Sequence, residues 1–483
     1  MVFTSAASNV RPNPDQELVD IAHYTAHYTV SSKKAYEIAR YCLMDSLSCA
    51  LLALRFRECT NLLGPVVPGT IVPNGARVPG TRFVLDPVKA AFDIGVLVRW
   101  LDYNDTWLAC EWGHPSDNLG GIFAVADFIS RNNIADGKTP LSMRELLTAM
   151  IKAHEIQGIL SLANSFNRIG LDHVILVKIA STALITQMLG GNEKQIFDAL
   201  SHAFVDGHSL RTYRHAPNTS PRKSWAAGDA TSRAVRLAMM TLQGQVGLPS
   251  ALSAPKWGFY DVLFRGNKFK LPQPYGSYVM ENILFKVSYP AEFHAQTAVE
   301  CALILHDKVK NRLGNIDRIE LYTQEAAIRI ISKDGPLHNP ADRDHCLQYV
   351  VAVSLIYGYL TAECYEDEFA QDPRIDVLRA KMQVKEEPRF TQDYYDPDKR
   401  AIGNSIRVFF SDGTSTDKVS INYPLGHVRR REESLPLLEQ KFQNALTTSF
   451  SKRQSQAIYE LCSHQTELET TTVNEFMDML VDV

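Results

Sequence analysis

The sequence predicts a mainly α protein with an α+β second domain: a large multihelical domain, an inserted α+β domain and a helical return. Three observations carry this. Apolar residues recur at helical spacing from about residue 15 to 270. Two-residue alternation then appears, with an Asp412-Gly413 turn between two such runs. Helical spacing resumes after Pro424. The expected segments are 1–271, 272–425 and 426–483.

Each element has a local reason. "SSKKAYEIARYCLMDSLSCALLAL" places Ile38, Cys42, Leu43 and Leu47 on one helical face. "VPGTIVPNGARVPGTRFVLDP" (67–87) carries Pro/Gly punctuation and β-branched residues, which predict a loop with short strands. "LSMRELLTAMIKAHEIQGIL" opens with Ser142 and Glu145 at capping-box spacing. "LDHVILVKIASTALITQMLGG" reads as an apolar helix stopped by glycines. In "IDRIELYT", Ile319, Leu321 and Thr323 alternate as in a strand. "SIRVFFSDGTSTDKVSINYP" puts Ile406, Val408 and Phe410 before the Asp-Gly turn, and Val419, Ile421 and Tyr423 after it. The return places Leu438, Phe442, Ala445 and Leu446 on one face.

Composition excludes several classes. A net charge of −4 gives no global reason to expect a nucleic-acid or anionic-membrane partner. No window has the length and apolarity of a membrane-spanning helix. None of the eight cysteines forms a C-x-x-C pair, so zinc-ribbon and iron–sulfur spacings are missing, and no metal or cofactor is expected. The start, "MVFTSAASNVRPNPDQ", lacks the long apolar core of a secretory signal. Cytoplasm is the expected compartment, with the mitochondrial matrix as the alternative for a Ser/Ala-rich, acid-poor start.

The chemistry concentrates in "DYNDTWLACEWGHPSDNLGG" (102–121), where four carboxylates, a histidine and two tryptophans interrupt helix-like sequence. Burying such groups unpartnered is costly, so the stretch is either a solvated loop or a site. "GHSLRTYRHAPNTSPRK" (207–223) holds Arg211, Arg214, Arg222 and Lys223, with no carboxylate from 207 to 228. By charge alone it is a solvated loop, but its guanidinium forks also match carboxylates. His173 precedes an apolar helix; "FKVSYPAEFHAQTAVE" carries Lys286 and His294, and "NPADRDHCLQY" carries Arg343 and His345. Together these suggest one pocket for a polyanionic small molecule. "HEIQG" at 154 lacks the second histidine of a zinc-protease helix, and His154 falls on an apolar face as a satisfied core histidine would.

Long blocks extend the pattern: "RWLDYNDTWLACEWGHPSDNLGG", "MIKAHEIQG", "GLDHV", "SLRTYRHAPNT", "RKSWAAGDATSRAV", "WGFYDV", "SYVMEN", "YPAEFHAQTAVE", "NPADRDHC" and "DPDKRAIGN". Through them the chain resembles the dehydratases of the MmgE/PrpD family from about residue 11 to the end. The resemblance implies a homodimer whose subunits carry a helical domain, built from both chain ends, and an α+β lid. It implies removal of water from 2-methylcitrate, a small tricarboxylate, to give 2-methyl-cis-aconitate without a metal cluster. It maps catalytic roles to Asp102, His114, His173 and Lys223, and substrate binding to Thr106, Lys286 and His294. Arg211, Arg214 and Arg343 join the substrate-binding set as carboxylate partners. In this expectation Asp102 orients His114, and His114 and His173 form the acid–base pair in an order the sequence leaves open.

The chain departs from the family's pattern where Ala163 replaces the usual glutamate of an "ENSFN" block, and at Ser48 and His208. Alanine there would leave room for a longer substituent, which keeps a dehydratase of longer 2-alkylcitrates as an alternative. A cis-aconitate decarboxylase, known in the same superfamily, fits the blocks less well, and a non-catalytic anion-binding scaffold least.

Overall fold

The computed structural model describes residues 9–481. Most of the Ser/Ala-rich start read above for targeting, and the last two residues, lie outside them. Numbering only the longer helices, the first part of the chain runs α1 (Gln16–His27), α2 (Lys33–Ala53), α3 (Pro87–Arg99) and α4 (Leu119–Ala135). It continues through α5 (Met143–Ala163), α6 (Val174–Met188), α7 (Glu193–Val205) and α8 (Arg222–Leu242). Then come α9 (Gln296–Val309), α10 (Leu347–Tyr357), α11 (Arg431–Ser449) and α12 (Lys452–Ser463). The fold is mainly α, as expected. No described helix is long and apolar enough to cross a membrane.

Local signals account for the ends. Ser142 and Glu145 cap each other reciprocally at the start of α5, and α6 stops before Gly190, whose φ of +91° is open to glycine. Residues 67–87 form the expected loop, with a two-stranded ribbon of β1 (Ala76–Arg77) and β2 (Val84–Leu85).

One apolar core joins residues of α1 to α8 with Leu438, Phe442, Ala445 and Leu446 of α11, the face read from the sequence. A second core gathers α9, α10 and a four-stranded sheet. That sheet holds β3 (Ile316–Thr323), β4 (Met382–Glu386), β5 (Asn404–Phe410) and β6 (Val419–Ile421) in the order β4-β3-β5-β6. Ile319, Leu321 and Thr323 all point inward. β5 and β6 pair antiparallel, Ile406 opposite Val419, so the hairpin is present. Lys441 of α11 fastens the return to the rest: its ammonium binds Asp45 and the carbonyls of Tyr103 and Lys286, at 2.8–3.0 Å.

Candidate active site

Two helix ends meet where the chemistry gathers. α3 and α8 cross so closely that a Cβ on Gly95 would lie 2.7 Å from Gly228 Cα, and one on Gly228 2.7 Å from the Phe92 carbonyl oxygen. Only glycine permits that approach. It brings Arg99, the last residue of α3, and Lys223, at the start of α8, to a common partner, Asp102.

Asp102 takes a φ of +49°, a left-handed conformation that a short polar side chain tolerates. Its carboxylate accepts from Arg99 at 2.6 Å and Lys286 at 2.5 Å, with His345 Nε2 and Lys223 at 3.5 and 3.6 Å. Burial pushes the Asp102 carboxyl up, but Arg99, Lys286 and Lys223 outweigh it and hold it well below the usual carboxylate range. Asp102 is therefore a fixed anion, not a base.

His114 is held from both sides. Its Nδ1 lies 2.6 Å from the Asp105 carbonyl oxygen, which can only accept, so Nδ1 carries the proton. Nε2 then presents its lone pair, on which Arg99 donates at 3.0 Å. Asp102 stands 4.0 Å from this nitrogen with Arg99 bonded to both, so the orienting role expected of Asp102 falls to Arg99 and the Asp105 carbonyl. The Asp105 side chain in turn accepts from Ser116 Oγ at 2.7 Å and His154 Nε2 at 2.9 Å. His154 also bonds the Met150 carbonyl, as a satisfied core histidine should. Thr106 Oγ1 reaches His114 Nδ1 at 3.4 Å.

His173 precedes α6, its ring edge-on to His114 with centroids 5.6 Å apart. Arg211 donates to its Nδ1 at 3.4 Å, and its Nε2 is buried with no partner among the described residues. Beside it, Asp172 accepts both arms of the Arg214 fork. Arg214 is thus already bound to a carboxylate, whereas the Nε of Arg211 is buried and unpaired.

From the second core come Glu292, whose carboxylate binds His294 Nδ1 at 2.7 Å, and the adjacent pair Asp344–His345. His294 also contacts the Tyr394 hydroxyl at 3.0 Å and packs edge-on against Trp112. Lys223 bonds Asp344 at 2.7 Å. The cavity between the cores has a volume of about 20 Å³ and is walled by Arg99, Asp102, His114, His173, Arg211 and His345, among others.

Lys223 and Lys286 sit behind Asp102 rather than on the cavity wall. Arg343 is not brought in at all. Its guanidinium turns to the Tyr365 carbonyl at 2.6 Å and to Asp367 at 2.7 Å, because the 365–367 segment offers acceptors on that side. Ala163, the last residue of α5, is also absent from the wall. Glu111 instead shapes that block, accepting from the backbone N–H of Phe166 and Asn167. Ala163→Glu is therefore expected to leave the ratio of kcat/KM for long and short 2-alkylcitrates unchanged. A ratio that falls against long chains would put residue 163 back at the alkyl group.

Burial, and then the surrounding cations, push both imidazoles well below their ordinary pKa; for His173 the Asp172 carboxylate opposes this without reversing it. The neutral form of a base is the active one, so kcat/KM should hold as pH falls through about 6.5, the ordinary imidazole value. Stability moves the other way. Below about 6.5 the unfolded chain takes up protons that the folded imidazoles refuse, so folding stability falls as pH drops through that window. A pH–rate profile with an acid limb centred near 6.5 would contradict these environments.

Asp102, Asp344 and His345 could in principle hold a cation, and their ligand atoms lie within 4.8 Å of one another. Arg99, Lys286 and Lys223 already neutralise that pair of carboxylates, so a dication would have to displace them.

Arg99, Trp112, Asp172, Glu292 and Asp344 complete the site beyond the residues singled out from the sequence, and His345, read there beside Arg343, lines the cavity. All lie inside the blocks quoted above or beside a chosen residue. Their roles as partners depend on contacts across the chain that no local spacing displays.

Comparisons with known proteins show what the chain is similar to. Residues 19–272 match the MmgE/PrpD N-terminal domain and residues 289–465 the MmgE/PrpD C-terminal domain. The chain is 59% identical over 482 residues to the 2-methylcitrate dehydratase of Escherichia coli (strain K12), covering 99% of this chain and 100% of that protein. It is 60% identical to the 2-methylcitrate dehydratase of Cupriavidus necator, over 99% of each. It is 57% identical to the mitochondrial 2-methylcitrate dehydratase of Yarrowia lipolytica, over 98% of this chain and 91% of that one. With both halves matched and such identity along nearly its whole length, the chain belongs to the MmgE/PrpD family.

Proposed function

We propose that the chain is a hydro-lyase that removes water from 2-methylcitrate to give 2-methyl-cis-aconitate, with side chains alone supplying acid, base and counter-charge. The observation that carries this reading is a pair of buried imidazoles with opposite hydrogen-bonding roles inside an arginine-lined cavity. His114 acts as the base at the carbon next to a carboxylate through its Nε2 lone pair, which Arg99 releases as it turns to a substrate carboxylate. His173, whose Nδ1 accepts from Arg211, carries its proton on Nε2 and donates to the departing hydroxyl. The unpaired Nε of Arg211 and the ring of cations stabilise the charge that gathers on the carboxylate as the C–H bond breaks.

A cavity of about 20 Å³ holds roughly one water, not a tricarboxylate. In our reading the α+β segment is a lid that parts from the helical domain to admit substrate; it begins later than the 272 expected from sequence, because Val279, Met280, Ile283, Phe285 and Val287 pack in the helical core. On entry, substrate carboxylates compete with Asp102 for the Lys223 and Lys286 ammonium groups.

The direct test incubates the purified chain with citrate, 2-methylcitrate and longer 2-alkylcitrates, following the new conjugated double bond by ultraviolet absorbance. Conversion of 2-methylcitrate, undiminished after exhaustive chelation, is the expected result. Loss on chelation restored by iron or zinc would overturn the metal-free chemistry, and inactivity on all three would overturn the function. A second expectation concerns Lys223→Ala, read in an Asp344→Asn background so that no carboxylate is stranded. Relative to Asp344→Asn alone it should lower kcat by about 10²–10³, the usual effect of removing one donor to developing charge. An unchanged kcat would confine Lys223 to a structural ion pair.

A further inference from the structure

We propose that His23, His27 and Glu193 form a surface site for one divalent transition-metal ion of the zinc, nickel or copper class. His23 and His27 stand four residues apart on α1, so their imidazoles leave the same face of the helix, ring centroids 4.8 Å apart. Glu193, the first residue of α7, reaches across from a second helix. Its Oε1 lies 3.2 Å from His23 Nδ1 and its Oε2 2.7 Å from His27 Nε2.

These three ligand atoms all lie within 4.8 Å of one another. Ligands about 2.0–2.1 Å from a tetrahedral ion stand roughly 3.3–3.4 Å apart, so small side-chain rotations would close the set around a cation. Two imidazoles and one carboxylate suit zinc, copper or nickel rather than calcium or magnesium, which prefer all-oxygen shells. Histidines at i and i+4 are also the spacing by which a single helix chelates zinc.

The side chains are 67%, 54% and 40% exposed, so an ion reaches them without any opening of the core. Three protein ligands leave a fourth position to water. The bound ion would tie α1 to α7. None of the three residues lines the catalytic cavity, so the site is independent of the dehydration chemistry. It also differs from the buried Cys42–Asp105–His154 group, where sulfur would be a ligand.

The test titrates the full chain, stripped by chelation and dialysed, with Zn²⁺ by calorimetry and with Co²⁺ by visible absorbance. One Zn²⁺ per chain is expected. His23→Ala/His27→Ala, and separately Glu193→Gln, should weaken binding by more than about tenfold, since groups that only orient ligands are worth about 10–100-fold. The Co²⁺ complex should show nitrogen and oxygen ligation with no sulfur-to-metal charge-transfer band, and the histidine double variant should keep the catalytic rate of the parent chain. Absence of binding, binding unchanged in both variants, or a sulfur band assigning the ion to Cys42 would each overturn the proposal.

Discussion

Replacing His114 with alanine is expected to lower kcat on 2-methylcitrate by about 10²–10⁴-fold while the chain stays folded. The size follows from the role. His114 is the imidazole whose protonation state the structure fixes, because the Asp105 carbonyl claims Nδ1–H and leaves the Nε2 lone pair toward Arg99 and the cavity. No neighbour can stand in. Asp102 is held ionised and weakly basic by Arg99, Lys286 and Lys223. The substitution leaves the Asp105 carbonyl short of one donor, a penalty of about 1–3 kcal/mol against a typical stability of about 5–15 kcal/mol. The measurement is kcat with circular dichroism as the check on folding. Added imidazole should return part of the rate, since it restores a base to the vacated space. A folded variant within tenfold of the parent rate would remove His114 as the base.

Much of the fold was legible, because its signals are local. The α2 face, the capping box of α5, the Asp-Gly hairpin and the buried face of α11 each follow from residues a few positions apart. The site was legible in its residues but not in its pairings. Asp102, Thr106, His114, His173, Arg211, Arg214 and His294 all line the cavity. What each cation binds was hidden, because the partners are remote: Lys286 meets Asp102 across 184 positions and Lys223 meets Asp344 across 121. Arg343 shows the cost of that blindness. Its neighbour His345 lines the cavity, while Arg343, two residues away, is captured by Tyr365 and Asp367. The substitution at Ala163 suggested an altered pocket for the same reason: a departure from a family block signals change without saying where the side chain stands.

Asp172→Ala is expected to cost about 3–5 kcal/mol of folding stability, the usual result of removing one partner from a buried ion pair. Asp172 is fully buried and takes both arms of the Arg214 fork, with Arg211 at 3.9 Å and His173 at 3.4 Å. Its carboxyl is held far below the usual range: burial opposes ionisation, but the Arg214 and Arg211 guanidinium groups more than compensate. Without it, the buried Arg214 and Arg211 guanidinium groups lose the carboxylate they share. The fork also decides what Arg214 does. A guanidinium already satisfied by Asp172 positions the loop before α6, and so His173, rather than gripping substrate. Arg214→Met should therefore destabilise the chain as well, by stranding Asp172. The double variant Asp172→Leu/Arg214→Met should recover much of the loss, because replacing a whole buried pair by apolar groups is often neutral. Denaturant midpoints for the two single variants and the double close a cycle whose coupling energy isolates the pair. Losses that simply add, together with a raised KM and unchanged stability in Arg214→Met, would return Arg214 to the substrate carboxylate.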